Sequence, residues 1–501
     1  MSENENVEST GGALVRSITW KQGLFIALGV PILILPSLYD MGTTVWAFSI
    51  VMWTICVIQG FIQNTSYGEM VTVFPRAAGL PGCAQVVFEP KDKTKKYNMG
   101  KMIGAFCAWC YWFAWTPVVS IFSMLIGDYL MGYVPGAADA FAGVEWLMYV
   151  AVVVVIVIVM TIISARGLTG GSVFGLVLAL IAIVPLFVIL IAAVIEGMVS
   201  LDTIAQDWLP NTGGTVAAAE DWSWSMKEIA WIFGVFAIMQ WSGCAWETAA
   251  VYGPEYKEPG KDTPKALFAC GIICLVLYFF VSFTVYGVMG EEGLEDAGYA
   301  TMVPIAEAVF GDWGGAIALT LLVSAMVLII QTGFLGSSRT LYYMSHEGNM
   351  PKYLGKQNKR GMPLNAFLTV SVFNVCLTAV MSFLGGSLMV ILSASSVAYC
   401  FAHVVCQSAY YKSKTDARFK DLERPFSAPR GWKYVSLALV IYELFILIPC
   451  LIYWMMVGPW EGGVMPVVLG IIILLVFFPI WVYTQRTNPG DVSATGESIE
   501  E

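Results

Sequence analysis

Acidic side chains inside apolar stretches are the first residues of this sequence that could do chemistry. Glu247 and Glu443 each lie within a long apolar run, and Glu69 lies near the end of another. A carboxylate is costly in such surroundings, so an acid found there is a functional candidate. We expect a structural or proton-coupling role for Glu247, with direct ligand contact as the alternative. We expect Glu69 to pair with a base, and Glu443 to serve packing or oligomer contact.

Tryptophans form a second group of candidates. Trp241 directly precedes Ser242 and Gly243 inside an apolar run, and Trp246 follows them. A tryptophan face can hold a cation with about 0.5–2 kcal/mol, or it can exclude water from an apolar ligand; packing is the alternative. Three more tryptophans share one predicted helix face, where core or lipid contact is our interpretation and a wall for an amine is the alternative. They are Trp109, Trp112 and Trp115.

Enzymatic and metal chemistry find little support in the sequence. His346 and His403 are the two histidines, and neither has neighbours that would complete a metal site. The patterns H-E-x-x-H, G-x-S-x-G and G-x-x-x-x-G-K-[ST] are absent from the sequence. Cys107 and Cys110 form a C-x-x-C within the apolar stretch FCAWCYWFAW, which favours packing over redox chemistry. We predict no enzyme, no catalytic or metal-binding residue, no cofactor and no direct use of ATP.

The composition predicts a membrane protein. Of the 501 residues, 58% are hydrophobic and 12% are charged, whereas roughly a quarter of a soluble domain is charged. The net charge of −10 argues against nucleic acid as a partner. We therefore predict an all-α integral membrane protein that contacts membrane lipid.

Twelve apolar segments are long enough to span a bilayer, which takes about 20 residues. They lie between two polar tails, 1–17 and 485–501. The predicted spans are 20–40, 43–66, 102–132, 146–164, 172–196, 226–252, 266–290, 314–343, 364–384, 387–411, 434–457 and 464–484.

Basic residues orient these spans. All of the 26 Lys and Arg residues except Lys227 lie in alternate connecting segments, in a tail or beside the first span. Because Lys and Arg collect in cytoplasmic loops, we expect both termini to be cytoplasmic. The start MSENENVESTGG lacks the features of a signal peptide, which favours a multi-pass protein of the cell inner (plasma) membrane.

Two of the predicted spans contain helix-breaking residues at their middle. The first reads FIALGVPILILPSLYDMG, with Gly29 and Pro31, and the sixth has Ser242 and Gly243. A proline kink and a glycine packing contact would explain either break by itself. Breaks in corresponding positions of two halves favour a binding site, because unwound ends leave backbone N–H and C=O groups free.

Several sequence segments together resemble the amino acid–polyamine–organocation transporters. Their order and spacing match the family, although each is weak by itself. The segments are G-V-P-I-L-I-L-P at 29–36, Y-G-E-M at 67–70, F-P-R-A-A-G at 74–79, W-S-G-C-A-W-E at 241–247, E-Y-K-E-P-G-K-D-T-P-K-A at 255–266 and S-S-R-T-L-Y-Y-M-S-H-E-G-N-M-P at 337–351.

The resemblance implies two inverted five-helix repeats, at 18–196 and 226–411, with two extra helices at 434–484. It also implies alternating access around a site at the breaks of the first and sixth spans. The substrate-binding residues it implies are Gly29, Val30, Pro31, Trp241, Ser242, Gly243 and Trp246. The coupling or gating residues it implies are Glu247, Glu69 and Gln331.

Departures from the family pattern bear on the substrate. Val30 and Pro31 stand where relatives carry small residues that leave amides open to a carboxylate, and Ala245 replaces a glycine. Ala182 stands where some proton-coupled relatives carry a lysine, so that mechanism is not available. These changes favour amines and other cationic substrates, while a zwitterionic amino acid stays an equal alternative.

The leading hypothesis is a secondary active transporter for an amino acid or a related amine. The co-ion is open between H⁺ and Na⁺, and an exchanged substrate is a further possibility. The alternative is a channel or a substrate sensor on the same scaffold. The sequence does not distinguish symport from exchange.

Overall fold

The computed structural model describes residues 14–75, 77, 79–90, 97–205, 225–384, 388–461 and 464–490. Within these ranges the protein is helical, and its one isolated β-bridge joins Ile18 to Tyr256. The α-helices are α1 Trp20–Ala27, α2 Ile34–Val45, α3 Phe48–Val73, α4 Gly79–Phe88, α5 Met99–Trp115, α6 Val118–Tyr133, α7 Ala137–Ala140, α8 Glu145–Ser164, α9 Leu168–Ile195, α10 Leu201–Ala205, α11 Met226–Gly243, α12 Pro259–Ala297, α13 Met302–Phe310, α14 Asp312–His346, α15 Leu364–Leu384, α16 Leu388–Thr415, α17 Trp432–Glu461, α18 Val464–Leu475 and α19 Phe477–Thr487.

These helices supply twelve spans, each of which overlaps a predicted one, so the predicted number is confirmed. Long helices carry most of them, and the first, third and twelfth spans each join two helices. The spans in chain order are Trp20–Val45, Phe48–Val73, Met99–Tyr133, Glu145–Ser164, Leu168–Ile195, Glu228–Glu255, Pro259–Ala300, Asp312–His346, Leu364–Phe383, Ile391–Thr415, Trp432–Met455 and Val467–Thr487.

The helix interruptions fall where the sequence predicted them. In the first span, α1 ends at Ala27 and a short 3₁₀ turn, Pro31–Leu33, leads into α2. In the sixth span, α11 ends at Gly243 and continues as a 3₁₀ segment, Ala245–Glu255. Proline removes a helical amide and glycine weakens helical order, so the chain leaves the α-helical path at these residues.

Both described ends of the chain lie at one end of the bundle, which we call the termini end. Near the start, the Lys257 amide donates to the Ile18 carbonyl at 2.8 Å. Near the finish, the Gln485 side chain donates to the Gly348 carbonyl at 2.8 Å, just beyond the eighth span. The opposite end, which holds the last turns of α2, is called the far end.

The first break packs directly against the eighth span. The Thr332 hydroxyl donates to the Ile26 carbonyl at 2.6 Å, so a backbone oxygen freed by the break is satisfied. A Cβ atom on Gly29 would lie 2.8 Å from the Leu328 carbonyl oxygen and 2.9 Å from the Ile329 Cα. Since both atoms belong to backbone, only a residue without a side chain fits at position 29.

Gly29→Ala is expected to destabilise the protein by about 1–3 kcal/mol, the usual effect of overpacking a tight contact. The measurement is the thermal unfolding of the purified protein in detergent. Gly336→Ala is the matched control, because Gly336 lies in the same eighth span and has open space around its Cβ position. An equal melting temperature for both variants would contradict the tight packing at Gly29.

Candidate functional site

A small cavity lies between the two interrupted spans, toward the far end. Its volume is about 20 Å³, which is room for roughly one water molecule. In this conformation the cavity is therefore too small for a ligand much larger than water. The lining residues are Pro36, Ser37, Asp40, Met41, Ile121, Phe122, Leu125, Ile238, Trp241, Ser242, Tyr299 and Leu392.

Two of the predicted substrate-binding residues, Trp241 and Ser242, line this cavity. The Trp241 indole N–H donates to the Ala114 carbonyl at 3.1 Å, and its ring lies 5.7 Å from that of Trp115. The Ser242 carbonyl accepts a hydrogen bond from the Tyr278 hydroxyl at 2.7 Å. The third and seventh spans thus hold the sixth-span break in place.

The other predicted break residues face neighbouring spans in this conformation. Gly29, Val30, Pro31 and Gly243 are not among the lining residues of the cavity. The Val30 amide donates to the Ala27 carbonyl at 3.0 Å, and proline has no amide hydrogen. Val30 and Pro31 therefore offer no free donor to a carboxylate here, and a substrate-binding role for these residues stays a prediction.

Trp246 packs between the second and seventh spans. A Cβ atom on Gly271 of the seventh span would lie 2.9 Å from the Trp246 ring. A Cβ atom on Gly60 of the second span would lie closer still to the same ring. The Phe61 ring lies 5.2 Å away. Two glycines therefore make room for this buried indole, which favours packing over substrate contact.

Glu247 follows the break and is fully buried. The Tyr111 hydroxyl of the third span donates to its carboxyl at 3.3 Å, and Tyr399 of the tenth span lies beside it. Because these neighbours are neutral hydroxyl groups, they do not hold the Glu247 carboxyl group in its ionised form, and it can take up or release a proton. The coupling role of Glu247 stays a prediction.

Glu69 pairs with bases, as the sequence predicted. Its carboxylate contacts Lys414 and accepts from Arg424 at 2.7 Å, from Tyr410 at 2.8 Å and from the Ala428 amide at 3.0 Å. These partners lie at the end of the tenth span and in the connection that follows. Glu69 thus fastens that connection to the second span, and a gating role stays a prediction.

Gln331 joins the eighth span to the fifth. Its side-chain amide donates to the Gly171 carbonyl at 2.5 Å. A Cβ atom on Gly175 would lie 3.1 Å from the Gln331 amide oxygen and 2.9 Å from the Phe25 carbonyl. The first, fifth and eighth spans therefore meet at Gln331, whose coupling role remains a prediction.

The three tryptophans of the third span do not form one wall. Trp109 donates to the Ile473 carbonyl of the twelfth span at 3.0 Å and packs on Trp112, with ring centroids 4.3 Å apart. Trp115 instead contacts Trp241. Trp115 is therefore the member of the stripe that stands beside the cavity.

The termini end is closed by a buried ion pair. Arg339 of the eighth span contacts both carboxylate oxygens of Glu255, with its second nitrogen at 3.1 Å. The amides of Ser17 and Ile18 donate to the Glu255 carbonyl at 2.9 and 3.2 Å. The sixth span, the eighth span and the chain start are thereby joined at this end.

The far end is closed by fewer polar contacts. The Tyr299 hydroxyl donates to Asp40 at 2.7 Å, and the Tyr299 ring meets the Tyr39 ring edge-on at 4.9 Å. The Tyr129 hydroxyl donates to the Tyr299 carbonyl at 3.0 Å. Asp40 and Tyr299 thus form the cover of the cavity.

Sequence reasoning missed Asp40 as a site residue and did not pair Glu255 with Arg339. Asp40 had a readable signal, because it is an acid in the first span, nine residues beyond Pro31. Glu255 and Arg339 each lie in a motif that carried the resemblance. Their pairing had no local signal, since 84 residues separate them.

Glu255→Gln is expected to lower the free energy of unfolding by about 3–5 kcal/mol, because it leaves a buried arginine without its counter-charge. Thermal unfolding in detergent measures the effect. Glu258→Gln is the matched control, because Glu258 makes an exposed ion pair with Lys261, and exposed pairs contribute little. Equal melting temperatures for the two variants would refute the role given to Glu255.

Comparison with known proteins places this geometry in a family. The family model described as amino acid permease matches residues 18–485. The arginine/ornithine antiporter ArcD1 of Lactococcus lactis subsp. cremoris (strain MG1363) is 24% identical over 420 residues, which is 79% of this chain and 76% of the antiporter. The polyamine transporter PUT1 of Oryza sativa subsp. japonica is 26% identical over 334 residues, which is 64% of this chain and 54% of that protein.

A solved structure supports the fold independently. The crystal structure of the Eremococcus coleocola manganese transporter has a TM-score of 0.56 at 12% identity, over 95% of this chain and 98% of that one. The predicted fold of two inverted five-helix repeats with two extra helices is confirmed, while the repeat boundaries stay a prediction. The chain belongs to the amino acid permease family and is a multi-pass membrane transporter, not an enzyme.

Proposed function

We propose that this protein is a secondary active transporter for an amino acid or a related amine, with its substrate held between the breaks of the first and sixth spans. The observation that carries the proposal is the cavity between α2 of the first span and the end of α11 in the sixth, with the Tyr299–Asp40 contact at the far end and a buried ion pair at the termini end. Alternating access then opens one closure while the other holds. A channel or a substrate sensor on this scaffold is the alternative.

The two closures differ in a way that suits alternation. The termini end depends on a buried ion pair between Glu255 and Arg339, whereas the far end depends on the hydrogen bond between Tyr299 and Asp40. Because the amides of Ser17 and Ile18, just before α1, donate to the Glu255 carbonyl, we expect α1 and the 3₁₀ segment of the sixth span to move together. We expect the far end to open first.

The cavity favours a cationic substrate. Asp40 is the one charged side chain among its twelve described lining residues. The Trp241 face adds a surface on which a cation can rest. Two relatives, an arginine/ornithine antiporter and a polyamine transporter, are named for cationic substrates, which agrees with this proposal.

The proposal also covers the residues that couple transport to a second species and the membrane in which the protein lies. We propose Glu247, Glu69 and Gln331 as coupling or gating residues, and either H⁺, Na⁺ or an exchanged substrate as the coupled species. We further propose the plasma membrane with both termini cytoplasmic, because basic side chains such as Lys352, Arg418 and Arg486 lie at the termini end.

The test of the function is flux of labelled amino acids and amines into proteoliposomes. A transporter gives saturable uptake and accelerated counterflow when the vesicles are preloaded with substrate. Flux without saturation would support a channel, and stabilisation of the protein by a ligand without flux would support a sensor. Failure to move any amino acid or amine would refute the proposal.

Asp40→Asn is expected to raise the KM for a cationic substrate by about ten- to hundredfold, because a hydrogen bond to a charged group contributes about 1.5–3 kcal/mol. The measurement is initial uptake rate against substrate concentration. Asp139→Asn is the control, since Asp139 is an exposed acid in the loop between the third and fourth spans. Similar KM values for the two variants would exclude Asp40 as the counter-charge.

A further inference from the structure

The eleventh span carries a fully buried acid outside the two repeats. Glu443 is 0% exposed, so it faces the interior of this protein and not a second copy. The side-chain nitrogen of Gln240 donates to its two carboxyl oxygens at 2.8 and 2.9 Å, and that of Gln59 donates at 3.0 Å. The acid therefore links the second, sixth and eleventh spans.

A hydrogen-bonded row of polar side chains continues from Glu443 along the second span. The Gln59 side chain also donates to the side-chain amide oxygen of Gln63 at 3.1 Å and accepts from the Tyr442 hydroxyl at 2.9 Å. The Gln63 side-chain nitrogen then donates to Nδ1 of His403 at 2.8 Å, and the Tyr67 hydroxyl lies 2.5 Å from the same ring nitrogen. These groups are neutral, so the row supplies hydrogen bonds to the Glu443 carboxyl group but no positive charge to offset a carboxylate.

No lysine or arginine in the described part of the chain offsets that charge. The titratable groups around Glu443 are thiols, tyrosines, a histidine and a second acid. They are Cys56 and Tyr67 of the second span, Cys244 and Glu247 of the sixth, Cys400 and His403 of the tenth, and Tyr442 of the eleventh. Because a buried carboxylate with only neutral donors is costly, a proton is the natural ligand of Glu443.

Gln240 can serve both protonation states of the acid. Its side-chain nitrogen donates to the carboxyl group as described, and its side-chain oxygen is buried without a hydrogen-bond partner among the described residues. A 180° rotation of the side-chain amide group of Gln240 exchanges the positions of its nitrogen and oxygen. The oxygen then accepts the O–H of the protonated acid, so both states are hydrogen-bonded.

The same residue lies at the end of α11. The Gln240 carbonyl accepts from the Cys244 amide at 3.1 Å, the bond that closes the last turn before the sixth-span break. Trp241, the next residue, lines the cavity. A change in the protonation of Glu443 can therefore alter the cavity wall through Gln240, which contacts Glu443 and is bonded to Trp241.

We propose that Glu443 is a proton-binding site whose occupancy sets the position of the sixth-span break. A proton from water adds to a carboxylate oxygen, the new O–H donates to the turned Gln240 amide, and release of the proton to water reverses the step. The inference rests on the transport function proposed above, since it names the coupled ion of that site as H⁺.

Proton binding can be measured without transport. Infrared difference spectra of the purified protein in lipid, recorded between alkaline and acid pH, are expected to contain the C=O band of a protonated carboxyl that disappears in Glu443→Gln. Asp128→Asn is the control, because Asp128 lies in the third span, where the Tyr149 hydroxyl donates to it. A spectrum unchanged in Glu443→Gln would overturn the proposal, even if the protein transports a substrate.

Coupling is measured as the ratio of substrate uptake with and without an inward proton gradient. This ratio is expected to be high in the wild type and to lose its dependence on the gradient in Glu443→Gln. If Glu443→Gln does not fold, Gln240→Met provides the second test, and it should keep the infrared band while losing the gradient dependence. Full gradient dependence in either folded variant would refute the coupling. A wild type without flux would refute the transport proposal alone, because the infrared band reports separately on proton binding.

Discussion

The breaks of the first and sixth spans expose backbone groups in a region without water, and the need to satisfy those groups organises the structure. Thr332 donates to the Ile26 carbonyl, and Tyr278 donates to the Ser242 carbonyl. Each partner comes from a different span. The interrupted helices therefore determine which spans must lie beside them, and the cavity forms where these partners leave room.

The buried acids of this protein fall into two classes according to the groups that surround them. Acids with cationic partners lie toward the termini end, where Glu255 meets Arg339 and Glu69 meets Lys414. Glu443, by contrast, is surrounded by neutral donors. An acid in an ion pair with lysine or arginine holds helices together, because removing either charge is costly. A buried acid with only neutral donors has no counter-charge, so it favours binding a proton.

Much of the fold was predictable because its signals are local. The apolar lengths of the spans, the proline at position 31 and the glycine at position 243 act on their own segment of chain, and the spans and breaks are observed as predicted. The pairing of Glu69 with a base was also predictable, since bases are plentiful near the span ends. For Glu443 we expected packing or oligomer contact, and its burial agrees with packing, but its contact with Gln240, 203 residues away, had no local signal.

The membrane class, the twelve spans, the two breaks and the family resemblance could all be predicted from the amino-acid sequence, because hydropathy, proline and glycine act through nearest neighbours along the chain. The folded structure was needed to show that Trp241 lines the cavity while Trp246 packs between glycines. It likewise brought Asp40 to Tyr299 across 259 residues. These choices depend on which helix faces meet, and contacts between distant segments leave no periodic trace in a single sequence.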